Sequence, residues 1–340
     1  MLTTSYFWFL NKSIMALRRS YFIHSLRKVL IGILLLGLLP LIFLSWKRRS
    51  LVSKSDNKLI VVTTTGIIGD AVAQITQGRV ALKVLMNPGV DPHTYEMTVQ
   101  DGQALEDADI IFYNGLHLEG KMHTVFTKVT MHQKKKKVYG VSDALSQDDM
   151  LIDPHFSSGK DPHIWHSVTL WKKAVAYISE QLQKANPEYA DFYAVNTKAY
   201  LEELDALHDY IVEQISKIPP QLRVLVTAHD AFEYFGKTYG LVVKSYQGVS
   251  TTSEPSLKDR QDLTNFIIRH QVKTIFAETS VPTKGIYAVL ESCRQAGYQV
   301  ESKDLLYSDA LGEKEGAAGT YIGMMRTNVD YIVTASQSNV

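Results

Sequence analysis

Three Asp-Pro-His tripeptides are the residues of this chain best suited to bind a metal ion. They lie at 91–93, 153–155 and 161–163. Proline fixes its own φ and pushes the preceding residue toward an extended conformation, so each histidine sits on a stiff stretch of backbone. A ligand that is already ordered loses less conformational entropy when the metal binds. The tripeptides therefore predict metal ligands, but their spacing does not say which histidines converge.

The elements that would position these histidines alternate between strand and helix. This alternation indicates βαβ units and mostly parallel sheets. The segment 143–160 is predicted to be a loop. Strands are predicted at 59–64, 81–86, 109–113, 137–141, 223–227, 242–246, 274–277 and 299–303, with helices between most of them.

One predicted helix, at 187–217, is much longer than its neighbours. Asn186 is a suitable N-cap and Pro187 suits the first helical position. Leucines recur at helical spacing from Leu201 through Leu204 and Leu207. About 30 residues at roughly 1.5 Å each exceed the length that one lobe needs, so we interpret the helix as a rod that joins two lobes.

The predicted fold class is α/β, with two lobes that each hold a mostly parallel sheet flanked by helices. One long rigid helix joins the lobes, and a metal ion lies in the cleft between them. The predicted divisions are a signal segment or N-terminal membrane anchor at 1–50, a tether at 51–58, an N-terminal lobe at 59–185, a linking helix at 186–218 and a C-terminal lobe at 219–340.

The N-terminal segment differs in charge from the rest of the chain. Residues 1–55 carry nine Lys or Arg and no acidic residue, which leaves 27 basic against 35 acidic residues in the remainder. An apolar run at 29–46 follows the first basic residues, as in a secretory signal, and it is close to the length of a membrane anchor. Either reading predicts that the body of the protein is periplasmic or otherwise extracytoplasmic. Cys293, in a predicted helix, is the single cysteine, so an internal disulfide is excluded.

Four residues follow predicted strands or lie on the stiff loops, where ligands bind in open α/β sheets. They are His93, His163, His229 and Asp309. Three imidazoles and one carboxylate suit zinc and tolerate manganese or ferrous iron. We therefore predict that these four hold one divalent metal ion.

Other residues compete for these positions. Glu278 also follows a predicted strand, although an acidic residue there can equally act as an acceptor behind a ligand. His155 lies in a polar loop, and His166 is expected to point away from His163. A lysine-rich run at 134–137, whose charge would oppose cation capture, is bordered by His117, His123 and His132. His208 and His270 lie on predicted helices and are expected to be surface residues.

From about 59 onward the chain resembles the metal-binding receptors of bacterial zinc and manganese ABC importers, a group that includes adhesin-like lipoproteins. The resemblance rests on the order and spacing of several motifs together. They are Val-Asp-Pro-His-Thr-Tyr-Glu at 90–96, Tyr-Asn-Gly-Leu at 113–116, Asp-Pro-His-Ile-Trp at 161–165, Thr-Ala-His-Asp-Ala-Phe at 227–232, Ser-Asp-Ala-Leu at 308–311 and Gly-Thr-Tyr-Ile-Gly-Met-Met at 319–325.

The resemblance implies two lobes around one metal, with the same four ligands. A histidine at the third position, here His229, leans toward zinc in this family but also occurs in mixed zinc, manganese and iron receptors. Two departures matter. The loop at 116–137 is a short, lysine-heavy version of the family's histidine-rich loop, and the cysteine that anchors the lipoprotein members is missing.

The expected function is therefore capture of a divalent metal ion outside the cytoplasmic membrane and its delivery to an ABC permease with its ATPase. The protein is expected to be a monomer and not an enzyme, with no catalytic residue and no nucleic-acid partner. Metal release is expected through movement of the loop near Asp309 or through small lobe tilts. The alternatives are an adhesion protein with a structural metal and a zinc hydrolase, and the latter would need an open coordination position and a general base.

Overall fold

Four parallel strands form the sheet of the N-terminal half in the computed structural model, which describes residues 58–126, 137–156 and 158–337. The strands are β1 (Ile60–Thr63), β2 (Ala81–Val84), β3 (Ile110–Tyr113) and β4 (Lys137–Gly140), in the order β2-β1-β3-β4. The helices α1 (Gly66–Thr76), α2 (Val99–Asp107) and α3 (Val168–Ala185) accompany them. The predicted signal segment or anchor at 1–50 and nearly all of the predicted tether lie outside the described residues.

The C-terminal half repeats the alternation with two parallel strand pairs. β5 (Val224–Thr227) pairs with β6 (Val242–Ser245), and β7 (Thr274–Glu278) pairs with β8 (Glu301–Leu306). β7 also contacts β5. The helices of this half are α5 (Glu233–Tyr239), α6 (Leu257–Arg269), α7 (Lys284–Gln295) and α8 (Tyr321–Gln337). The expected α/β fold with parallel sheets is confirmed.

At α1, α2 and α6, side chains that precede the helix satisfy free N–H groups of its first turn. Thr65 accepts from the backbone of Ile68 at the start of α1. Thr98 and Asp101 form a capping box at α2, and Ser256 and Asp259 form one at α6. These caps fix where the preceding loops end, and the loops before α2 and α6 both border the site described below.

The long helix α4 runs from Ala190 to Ser216 and has 27 residues, or about 40 Å at 1.5 Å per residue. A short 3₁₀ turn at Pro187–Tyr189 precedes it. The prediction that Asn186 caps the long helix was therefore wrong. The intervening turn separates Asn186 from α4, and its amide donates instead to the hydroxyl of Tyr193 at 3.3 Å.

Helix α4 contacts helices of both halves. They are α1 and α3 of the N-terminal half and α5 and α8 of the C-terminal half. Leu204, Leu207 and Ile211 are fully buried along it. The largest apolar core runs without a break from Val61 in the first half to Met325 in the last helix. Burying each such side chain contributes about 1.5–3 kcal/mol, so this core joins the two halves firmly.

The segment predicted as loop at 143–160 contains short 3₁₀ turns and one antiparallel bridge between Ile152 and Lys160. The described residues from Leu59 onward form one compact unit, so the lobe boundaries proposed from the sequence stay a prediction. Among the helices of the described ranges, none combines the length and the apolar character that a bilayer crossing requires.

Candidate metal centre

Four buried side chains meet at the carboxyl ends of the strands. His93 lies in the loop between β2 and α2, and His163 lies just before α3. His229 and Asp309 follow the ends of β5 and β8. All four are at most 2 % exposed, although histidine and aspartate are usually surface residues.

The ligand atoms of these side chains point at one another. Nε2 of His93 and Nε2 of His163 are 3.2 Å apart. Oδ2 of Asp309 lies 3.2 Å from Nε2 of His229 and 3.9 Å from that of His93, while its Oδ1 lies 3.5 Å from that of His163. One atom from each residue can be chosen so that all lie within 4.8 Å. Within the described residues this is the one group of three or more such side chains that could hold a metal ion.

The group leaves polar atoms without hydrogen bonds. Both carboxylate oxygens of Asp309 and Nε2 of His229 are buried and have no hydrogen-bond partner, although two of them face each other. A buried charge without partners is costly, whereas a cation between these atoms would satisfy all of them. The donor set of three nitrogens and one carboxylate therefore fits a divalent metal ion.

Two carboxylates orient His163 and His229. Each contacts Nδ1, the ring nitrogen that faces away from the other proposed ligands. Asp161 lies 2.7 Å from Nδ1 of His163 and also accepts its backbone N–H at 2.9 Å. Glu278 lies 2.5 Å from Nδ1 of His229 and accepts the N–H groups of Ala228 and His229. Each contact places the Nδ1 proton on the carboxylate side and directs Nε2 toward the other proposed ligands. The structure thus puts Glu278 behind His229, not in the place of Asp309.

Burial and charge set the protonation of the group. Burial lowers the pKa of His93 to about 3 and that of His163 to about 4, against the opposing attraction of Asp309. Burial alone would lower the pKa of His229 as well, but the carboxylates of Glu278 and Asp309 outweigh it and raise the pKa. Burial alone would raise the pKa of Asp309, and the neighbouring imidazoles hold it below its usual value. Asp309 is thus ionised and ready to bind a cation.

The loop that carries Asp309 is held by residues of both halves. The carbonyl of Ser308 accepts from Nε1 of Trp165 at 2.8 Å and from Nε2 of His166 at 3.0 Å. The amide side chain of Asn328 bonds both the N–H and the carbonyl of Tyr307. No local sequence pattern indicates the contacts of Trp165 and His166 with Ser308. His166 was expected only to point away, yet it is fully buried and helps to place the ligand loop.

The remaining histidines stay outside the group. His155, from the third Asp-Pro-His tripeptide, is exposed. The rings of His117 and His123 stack on each other with centroids 4.5 Å apart. His208 is half-buried beside Tyr239, against the expectation of a surface residue, and His270 is exposed. His132 lies outside the described residues.

A fold of parallel sheets joined by a long helix, with three histidines and one aspartate converging, is typical of metal-binding receptors. Sequence comparison places the chain in this class. Residues 61–335 match the family model described as zinc-uptake complex component A, periplasmic, and the chain belongs to this family. The resemblance to receptors of zinc and manganese ABC importers is thereby confirmed.

Individual relatives agree with this assignment. The chain is 44 % identical over 283 residues to the zinc-binding protein TroA of Treponema pallidum, which covers 83 % of this chain and 90 % of TroA. It is 43 % identical over 281 residues to the manganese-binding lipoprotein MntA of Bacillus subtilis, covering 83 % and 90 %.

Solved structures share the fold. The structure of the periplasmic zinc-binding protein TroA from Treponema pallidum superposes with a TM-score of 0.79 and 42 % identity, covering 82 % of this chain and 99 % of that one. Fe(III)-bound YtgA from Chlamydia trachomatis superposes with a TM-score of 0.72 and 26 % identity, covering 81 % and 97 %.

Proposed function

We propose that this protein is an extracytoplasmic receptor that binds one divalent transition metal ion and delivers it to an ABC permease for import. His93, His163, His229 and Asp309 are the proposed ligands. The observation that carries the proposal is their convergence: four buried donors from four separate loops, with ligand atoms within 4.8 Å. The metal is cargo, so the site must bind it reversibly.

Zinc is the first candidate for the cargo. Three imidazoles and a carboxylate suit zinc, which also exceeds manganese and ferrous iron in affinity for most nitrogen and oxygen sites. Relatives are named for zinc and manganese, and the solved structure of YtgA is Fe(III)-bound, so manganese and iron are the alternatives. Affinity alone does not decide which metal is carried, because metal availability in the compartment contributes as well.

The proposed partner is a permease in the cytoplasmic membrane, with its ATPase. Relatives named as substrate-binding lipoproteins of manganese ABC transporters support this. The basic and apolar segment before residue 51 supports export and, if retained, anchoring to the membrane. We propose a monomer with lobes at 59–185 and 219–340 and the linking helix at 186–218.

The two alternatives are less well supported. A hydrolase needs an open coordination position, whereas four protein ligands would close the shell of a zinc ion, so we propose no catalytic residue. An adhesion protein with a structural metal would depend on that metal for folding. Here one continuous apolar core joins the two halves, so we expect the protein to fold without a metal.

The proposal is tested by metal analysis of the full-length protein purified from its native compartment. We expect about one equivalent of a transition metal in the wild type and its loss in His229→Ala. Stoichiometric metal in the His229→Ala protein would show that the proposed ligand set is wrong.

A further inference from the structure

The ligands differ in how firmly the rest of the molecule holds them. His163 belongs to the first half by sequence, but the segment 161–167 around it is bonded to the second half at several points. The hydrogen bonds run from Tyr321 Oη to the Trp165 carbonyl at 2.7 Å, from Trp165 Nε1 to the Ser308 carbonyl at 2.8 Å, from Tyr234 Oη to the Asp161 carbonyl at 3.1 Å and from Thr238 Oγ1 to Ser167 Oγ at 3.0 Å.

The loop of Asp309 is held in the same way. Besides the Trp165 and His166 contacts, Ser280 Oγ lies 2.9 Å from Ser308 Oγ. The Asn328 side chain bonds Tyr307 at 2.9 Å and 2.8 Å. Glu278 holds His229 in place as well. Hydrogen bonds therefore hold three of the four proposed ligands, His163, His229 and Asp309, to the second half.

The loop that carries His93 is attached much more weakly. Apart from His93 itself, a single hydrogen bond joins residues 87–96 to the second half within the described part of the chain: Thr251 Oγ1 donates to Asp91 Oδ2 at 2.6 Å. Asp91 in turn accepts the backbone N–H of His93 at 2.8 Å and the hydroxyl of Thr94 at 2.9 Å. Asp91 therefore links the position of His93 directly to Thr251.

Open space borders this contact. A cavity of about 470 Å³ is lined by Asp91 and Thr94 on one side and by Thr251, Pro282 and Lys284 on the other. The cavity leaves room for Asp91 and Thr94 to move, while Val90 and Tyr95 of the same loop pack against an apolar core of the first half. The opposite side of the group offers no comparable freedom, because Trp165, His166 and Tyr321 are buried there.

We propose that Thr251 is a positioning residue that holds the His93 loop closed through Asp91, and that the metal leaves when this loop moves. His93 then departs first, while His163, His229 and Asp309 stay together. This inference rests on the proposed receptor function, and it replaces the expectation that release begins at the Asp309 loop.

The test is the rate at which Zn²⁺ leaves the full-length protein, measured by stopped flow with an excess of a fluorescent chelator. Thr251→Val keeps the shape of the side chain and removes the donor. We expect roughly tenfold faster release, since a hydrogen bond to a charged acceptor is lost from the closed state. Thr252→Val is the matched control, because its hydroxyl bonds Ser250 at 2.8 Å within the same loop. Its release rate should equal that of the wild type.

If Thr251 only stabilised the fold, Thr251→Val would lower the unfolding temperature of the metal-free protein. We expect no such change in Thr251→Val or in Thr252→Val. If Thr251→Val binds one zinc per chain and releases it at the wild-type rate, the inference is overturned and the proposed function stands. A wild type that binds none of zinc, manganese and iron would overturn both.

Hydrogen exchange on the wild type is a second test of the inference, and it does not require that a variant folds. On zinc removal, amides at 88–96 should lose more protection than those at 306–311. The reverse order would overturn the inference.

Discussion

Glu278 holds His229 from the side opposite to the proposed metal. One carboxylate oxygen lies 2.5 Å from Nδ1 of His229, and the other accepts two backbone N–H groups, at 2.8 and 2.9 Å. The carboxylate therefore fixes both the ring and the loop that carries it. Asp161 also bonds both the ring and the backbone of His163, but through a single oxygen, Oδ1. Two of the three imidazoles are thus oriented before a metal arrives, which reduces the entropy lost on binding.

Replacing Glu278 should weaken the site without removing a ligand. We expect Glu278→Gln to lower metal affinity by roughly 10- to 100-fold, because carboxylates behind metal-binding histidines contribute about that much. Competition titration with a chelator of known affinity measures the change. Glu301→Gln, on the exposed surface of β8, is the control and should bind as the wild type does. Unchanged affinity in Glu278→Gln would mean that the contact does not tune the metal site.

The three identical tripeptides offer a matched pair of variants. His163 is fully buried in the group, while His155 is exposed, although both follow Asp-Pro. We expect His163→Ala to lose stoichiometric zinc and His155→Ala to retain it, as measured by metal analysis after gel filtration. Loss of zinc in His155→Ala would instead make the exposed tripeptide part of the binding function.

Removing the metal should leave the protein folded. Because the apolar core joins both halves independently of the site, we expect the chelated protein to keep its circular dichroism and to unfold cooperatively. Metal at 100 times its dissociation constant should add about 2.7 kcal/mol to the free energy of unfolding and raise the unfolding temperature. Loss of structure on chelation would favour the structural-metal alternative.

Asp70 should make stability depend on pH. Its carboxylate lies among three helices and accepts the N–H of Tyr321 at 3.0 Å and the hydroxyl of Tyr200 at 3.3 Å. Burial raises its pKa above the usual 3.8. The neutral form therefore favours folding, and this contribution is complete below pH 3.8 and is lost as the pH rises through the raised pKa.

Asp70→Asn, which stays neutral and keeps the acceptor oxygen, should match the wild type near pH 4 and gain stability relative to it toward pH 7.5. Asp70→Ala should cost about 1–3 kcal/mol at either pH, because the buried N–H of Tyr321 loses its acceptor. Urea unfolding of the metal-free proteins measures both effects, with the exposed Asp107→Asn as control. A difference between Asp70→Asn and wild type that shrinks with rising pH would contradict the expected sign.

Much of the fold follows from local sequence. The eight strands and the long helix lie within a few residues of their predicted positions, since apolar periodicity, Pro and Gly act over short stretches of chain. The cap at Asn186 failed for a local reason as well, because a 3₁₀ turn and a helix share the same start signals. The contacts of Trp165 and His166 with Ser308 join residues more than 140 positions apart, and no local pattern encodes them.

The sequence by itself determined the kinds of donor and their stiff attachment: histidines after Asp-Pro, and polar residues at strand ends. Only the tertiary structure decided that the tripeptides at 93 and 163 face Asp309 while the one at 155 faces solvent. The physical reason is that a metal site requires donors within a few ångströms, and these donors lie on four loops separated by 66 to 80 residues. Their meeting depends on the packing of both sheets and of α4, which no single stretch of sequence specifies.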